Sequence, residues 1–182
     1  MNNSFKNTLS EIFETILIAL VIVIPIRYFL IQPFMVKGQS MEPTFQDNNY
    51  LIIDKLSYRL RSPQRGEVIV MDSPSNNGQY FIKRIIGLPN ETLEIKNGKI
   101  TIYNQENPEG TTLDEPYLGN IETPGDLSIT LKANEYFVLG DNRYHSYDSR
   151  SWGVLEEDKI VGKVWVRLWP LNEITVFAAP NY

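Results

Sequence analysis

The run TILIALVIVIPIRYFLIQPFMV, Thr15 to Val36, constrains this chain more than any other segment: 22 residues carry one charge, Arg27. A helix of about 20 residues rises about 30 Å, the thickness of a bilayer's hydrocarbon core. The uncharged part, Thr15 to Ile26, is only 12 residues, which alone suits a buried helix or the core of a cleaved leader. Arg27 can snorkel to an interface and so lengthen the usable span, and Tyr28 and Phe29 suit an interfacial belt. Three readings follow: a membrane anchor over residues 12–32 behind a short tail of residues 1–11, a cleaved signal peptide, or a buried helix. A cleavage site needs small residues soon after the apolar core. Pro25-Ile26-Arg27-Tyr28 offers none, and Val36-Lys37-Gly38 lies too far downstream. An anchor is the expectation. Charge does not orient it, because Lys6 is opposed by Glu11 and Glu14 and Lys37 follows the run.

Residues 33–182 carry a different pattern. Tyr50–Asp54, Glu67–Met71 and Tyr80–Ile86 are short, β-branched and aromatic. Thr92–Lys96 and Lys99–Tyr103 flank Asn97-Gly98, a strong hairpin signal because both turn residues need positive φ. Glu135–Leu139, Lys159–Trp169 and Glu173–Phe177 complete the set, and Glu156–Ile160 hints at one helical turn. Many short strands between Gly and Pro predict an all-β domain of short antiparallel strands, sandwich or barrel-like. The acidic, Pro/Gly-rich stretch of residues 104–126 reads as a long surface excursion from that domain.

Composition closes several routes. The formal net charge is −5, which argues against a nucleic-acid partner, since that needs a concentrated basic face. Lys55, Arg59, Arg61 and Arg65 form one loose basic cluster, which could sit near anionic lipid or be a solvated face. There is no cysteine and one histidine, His145, so neither disulfides nor a zinc site of the usual His/Cys kind is expected. No EF-hand spacing occurs. The chain is expected to work without metal or cofactor.

The stretch KGQSMEPTF, Lys37 to Phe45, places Ser40 just after the apolar run. A nucleophile elbow would read G-x-S-x-G, and the final glycine is missing here. A Ser-His-Asp triad would need His145 with Asp141 or Asp148, but His145 lies in a polar, turn-rich run. The other base open to a serine is lysine. A free lysine is neutral about once in a few thousand molecules at pH 7, so it must be desolvated. Lys83 in YFIKRII is the best placed, because period 2 puts Phe81, Lys83 and Ile85 on one face and turns Arg84 toward solvent or a carboxylate. A lysine snorkelling from an edge strand gives the same pattern.

Four blocks in order resemble the bacterial type I signal peptidases (leader peptidases), Ser-Lys endopeptidases of family S26. They are GQSMEPT from Gly38, RGEVIV from Arg65, YFIKRIIGLPNE from Tyr80 and GDNRYHSYDSRSWG from Gly140. DEPYL, Asp114 to Leu118, is similar as well. The resemblance implies that Ser40 is the nucleophile and Lys83 the general base, with Ser146 hydrogen-bonded to the lysine. It implies a structural ion pair between Asp148 and Arg150, with Asp141 and Arg143 in the same supporting block. Gly38 stands where some members carry a serine that helps form the oxyanion hole, which matches the compact Gram-positive-like form and leaves a second donor unassigned. The implied substrates are signal peptides of exported precursors, cut after Ala-x-Ala by a monomer. The cleft would be formed by Phe34, Val36, Phe81 and Ile82 over a floor of Met41 and Phe45. The resemblance further implies a single-pass anchor in the cytoplasmic membrane, with the lipid bilayer as partner and the β-domain on the extracytoplasmic side. A self-cleaving repressor protease would need a DNA-binding helical module in place of the apolar N-terminus. A catalytically inactive tethered β-domain that binds exported proteins would not need Ser40 and Lys83 together.

Overall fold

The computed structural model describes residues 2–25, 31–75 and 78–179. Helix α1 (Asn2–Pro25) is followed by β1 (Ile31–Met35). The apolar run is thus not one helix. Pro25 is the last helical residue described, and Ile31 and Gln32, expected at the end of the anchor, pair with Asp54 and Ile53 of β2 (Tyr50–Asp54) instead. Proline lacks the N–H a helix interior needs, and the paired β2 edge offers this segment ladder hydrogen bonds. Arg27, Tyr28 and Phe29 lie outside the described residues. Among those described, no helix is long and apolar enough to cross a membrane. The apolar side chains of α1 from Ile12 to Ile24 are nevertheless exposed.

The remainder is antiparallel β, as the alternation of short strands predicts. After a helical turn α2 (Ser57–Leu60) come β3 (Val68–Asp72) and β4 (Tyr80–Gly87). The Asn97-Gly98 turn, with φ of 50° and 76°, joins β5 (Thr92–Lys96) to β6 (Lys99–Tyr103). Within the expected excursion sit β7 (Thr111–Thr112) and a 3-10 turn at Pro116–Leu118, and β8 (Leu127–Thr130) follows directly. Then come β9 (Glu135–Leu139), the short helix α3 (Ser149–Trp152), β10 (Leu155–Glu156), β11 (Ile160–Trp169) and β12 (Thr175–Val176). The helical turn expected at Glu156–Ile160 is a 3-10 turn at Glu157–Lys159.

One sheet runs β1-β2-β11-β3-β4-β9-β10 with β12 on β11; the other runs β7-β6-β5-β8. Val68 and Val70 of β3 pack with Val36, Met41, Phe45, Leu51, Ile53 and Val164. Ile69 and Met71, one step out of phase, pack with Ile85, Tyr136, Val138 and Leu155 on the other face. A strand buried on both faces reads as a continuous apolar run, which is what Val68 to Met71 is. The smaller sheet closes over its own core of Leu93, Ile95, Ile100 and Ile102 with Ile86, Phe137 and Leu139.

The basic cluster after β2 is largely held by its own chain. Arg61 pairs with Glu67, Arg65 with Glu91 at 2.6 Å, and Lys55 Nζ donates to Gln32 Oε1 at 3.2 Å.

Gly162 allows β11 to lie close against β2, since a Cβ there would meet the Asp54 carbonyl oxygen at 2.6 Å. That neighbour is backbone and cannot swing aside. Gly162→Ala is expected to destabilise the fold by about 1–3 kcal/mol, read as a lowered urea midpoint with unchanged m-value.

Candidate active site

Ser40 sits in the loop that follows β1, inside the turn that Glu42 N closes by donating to Gln39 O at 3.1 Å. This loop is tied at both ends: Val36 N donates to Asn49 O at 2.9 Å, and Asn48 N returns to Val36 O at 3.0 Å. Gly38 takes φ of 86°, a left-handed conformation that favours glycine, and its N–H donates to Asp47 Oδ1 at 2.8 Å. Phe45 N donates to Met41 O at 2.9 Å, which turns the chain back and drives both side chains inward.

Lys83, in β4, is in register with Ile69 of β3, and its side chain is buried rather than snorkelling to solvent. It is only 3% exposed. Its Nζ is 2.9 Å from Ser40 Oγ and donates to the Ile82 carbonyl at 2.9 Å. Burial lowers its pKa from 10.5 to about 8, against the opposing pull of Asp148 and Asp141. At pH 7 about one such lysine in ten is neutral, several-hundred-fold more than in water.

The carboxylates around the amine are matched by arginines. Asp141 receives Arg84 Nε at 2.8 Å and Nη2 at 2.6 Å, a buried bidentate pair, and also Thr44 Oγ1 at 2.6 Å. Asp148 receives Arg150 Nε at 2.9 Å and Nη2 at 2.8 Å, and the Gly140 N–H at 3.1 Å. Arg143 is fully buried. It reaches back to the excursion, bonding Glu115 through Nη1 at 2.9 Å and Nη2 at 2.5 Å and touching Thr123 Oγ1. Arg84, expected to face solvent or a carboxylate, takes the carboxylate, with its guanidinium 3.8 Å above the Tyr117 ring.

A cleft of about 660 Å³ opens at Ser40 and Lys83. Phe34, Val36, Phe81 and Ile82 line it as expected from the sequence, and Leu51, Val70, Tyr80 and Tyr147 join them. Met41 and Phe45 do not. Both are 0% exposed in the core beneath, where Phe45 stacks on Phe177 at 4.5 Å. The folding back of the chain at Met41 is the reason. Ser146 also departs from the expectation. Its Oγ is buried and has no partner among the described residues, while the Lys83 amine bonds Ser40 and the Ile82 carbonyl. Gly140 is what lets Ser146 approach, since a Cβ there would collide with Ser146 Oγ and the Ser40 carbonyl.

His145 lines the same cleft, yet its Nδ1 meets the Asn142 side chain at 3.2 Å. Asp141 and Asp148 bond elsewhere, so among the described residues no carboxylate orients the imidazole as a triad requires. Asn142, Glu115, Thr123 and Gly140 were not singled out from the sequence. The only signal for Asn142, Glu115 and Gly140 is their place in the GDNRYHSYDSRSWG and DEPYL runs, and Thr123 has none beyond lying in the 104–126 excursion. No group of side chains fit for a metal occurs among the described residues.

A hydroxyl held against a desolvated amine on a β-scaffold is the arrangement of a serine hydrolase that works without histidine. Comparison with known proteins gives the family. A family model described as signal peptidase, peptidase S26, matches residues 9–169. A probable signal peptidase I-2 of Synechocystis sp. is 37% identical over 93% of this chain and 77% of its own length. A signal peptidase IB of Staphylococcus aureus is 32% identical over 92% of this chain and 93% of its own. A crystal structure of a signal peptidase I from Enterococcus faecalis V583 is 34% identical, covering 57% of this chain and 97% of that one with a TM-score of 0.49. The chain belongs to the signal peptidase family, peptidase S26.

Burying Lys83 has a stability consequence with a definite sign. Its folded pKa of about 8 lies below the unfolded value of 10.5, so the unfolded chain binds more protons between those values and stability rises with pH there. Below about pH 8 the penalty is full. Lys83→Met is therefore expected to stabilise the protein at pH 7 by about 1–3 kcal/mol. The gain should fade by about pH 10.5, as seen in urea unfolding across that range.

Proposed function

We propose that this chain is a signal peptidase I: a serine endopeptidase that removes signal peptides from exported precursors, with Ser40 as nucleophile and Lys83 as general base. The observation that carries the reading is the 2.9 Å contact between Ser40 Oγ and the buried Lys83 amine. Neutral Lys83 takes the Ser40 proton as Oγ attacks the scissile carbonyl. The resulting ammonium protonates the leaving amine. Water, deprotonated by the same amine, then hydrolyses the acyl-enzyme and restores Ser40. Asp148–Arg150 and Asp141–Arg84 brace the loop and strand that meet at the dyad.

Two open strand edges support an extended substrate. Among the described residues, β1 is paired only with β2, and residues 80–83 of β4 are in register with β3 alone, since β9 pairs from Arg84 onward. Both stretches line the cleft, so a peptide strand can bond to both. Phe34, Val36, Phe81 and Ile82 leave room beside it for side chains of alanine size, which fits cleavage after Ala-x-Ala.

The exposed apolar helix α1 supports membrane attachment through a single-pass anchor in the cytoplasmic membrane. On the β-body, Met35, Tyr50 and Trp169 sit side by side across three strands, 52%, 36% and 55% exposed. Such a row suits the bilayer surface. The β-body, residues 33–182, acts as a monomer on the extracytoplasmic side. Sharing a membrane with its precursors raises their effective concentration.

Ser40→Ala and Lys83→Ala are each expected to abolish processing of an Ala-x-Ala precursor while urea unfolding still shows a folded protein. Because the active lysine is neutral, kcat/KM should rise tenfold per pH unit up to about pH 8, following the lowered lysine pKa. A limb near the ordinary histidine value, about 6.5, would implicate His145 and sink the lysine assignment.

A further inference from the structure

With glycine at position 38, no side chain there can help hold the oxyanion, and the Gly38 N–H is engaged by Asp47. The burden falls on the Ser40 N–H, which has no partner among the described residues. Its peptide is held within the loop by the Glu42 N–H, which donates to the Gln39 carbonyl at 3.1 Å, and from outside the loop by Asn142. The Asn142 Nδ2 donates to the Gln39 carbonyl at 3.1 Å, and its backbone N–H donates to the Ser40 carbonyl at 3.1 Å. One residue thus grips two successive peptide units of the nucleophile loop.

A trans peptide is planar, with C=O and N–H on opposite sides. Holding the Gln39 carbonyl toward Asn142 therefore turns the Ser40 N–H away from Asn142 and leaves it free for a ligand. The Asn142 amide is oriented in turn. Its Nδ2 must face the carbonyl, so its Oδ1 faces His145 Nδ1 at 3.2 Å, which must carry the proton. His145 N also donates to the Asn142 carbonyl at 3.0 Å. We infer that Asn142, braced by His145, is the positioning residue of the oxyanion hole: it fixes the Gln39–Ser40 peptide so that the Ser40 N–H meets the developing oxyanion.

This inference rests on Ser40 being the nucleophile of the proposed peptidase. An oxyanion donor acts on the transition state more than on the bound substrate. Asn142→Ala should lower kcat by about 10- to 100-fold, less than or equal to the loss of a whole donor, with KM nearly unchanged. Affinity for a peptide aldehyde ending in alanine, which forms a tetrahedral adduct on the serine, should fall by a similar factor. Asn142→Asp keeps the shape but removes the Nδ2 donor, and should lose as much or more. It decides the matter if the alanine variant unfolds. His145→Ala should show a smaller kcat loss of the same kind. Unchanged kcat in Asn142→Asp, or equal losses of kcat and substrate binding with the aldehyde affinity intact, would overturn the inference. Ser40→Ala run alongside separates the two levels. If it retains activity the proposed mechanism fails, whereas if it is inactive and Asn142→Asp is fully active only the role of Asn142 fails.

Discussion

A desolvated amine beside a serine hydroxyl is the constraint around which the β-body is arranged. Burial alone would push Lys83 toward neutrality, but Asp141 and Asp148 lie close enough to pull the other way. Each of these carboxylates is met by a bidentate arginine. The Arg84–Asp141 pair holds the loop after β9 against β4, Arg150–Asp148 closes within that loop, and both cancel negative charge that would keep the lysine protonated. Their worth is positional and electrostatic. A buried pair contributes little net stability, while a lone survivor is costly.

The same logic explains why an acidic surface excursion is part of the site. Glu115 and Thr123 engage the buried Arg143, Arg150 Nη1 touches the Pro124 carbonyl at 3.4 Å, and Tyr117 covers the Arg84 guanidinium. Three arginines of the catalytic strand and loop are thereby shielded from water by one segment. Without that cover, water would reach the Arg84–Asp141 pair and weaken its hold on the strand carrying Lys83. The acidic composition of the excursion is a complement to those arginines.

Much of this was legible in the sequence where local pattern decides. The alternation in Tyr80–Ile86 predicted the strand and left Lys83 open between burial and an exposed edge, and Asn97-Gly98 fixed one hairpin. The dyad itself needed the family blocks, because Ser40 and Lys83 are 43 positions apart and no local rule brings them together. The end of the apolar run was misread, since hydropathy does not tell a strand pairing with β2 from the last turns of a helix. Met41 and Phe45 were misplaced for a related reason: apolar residues beside a nucleophile can face the cleft or the core, and only the turn at Met41 decides. The partners of Arg84 and Arg143 were hidden because charge pairing across a fold has no period in the chain.

Three glycines near the site serve three different ends. Gly38 permits a left-handed turn whose N–H is bonded within the loop. Gly140 permits contact, bringing the loop after β9 against the Ser40 carbonyl. Gly162 does the same farther off, keeping β2 and so β1 in place. A loop without a side-chain donor at position 38 depends wholly on how its peptide planes are held, and the holding from outside the loop comes across the contact that Gly140 allows. Asn142, two residues later, reaches the Gln39 and Ser40 carbonyls only because the chain at 140 can come that close. A side chain at position 140 would therefore disturb both halves of the site together: the approach of Ser146 toward the dyad and the aim of the Ser40 N–H.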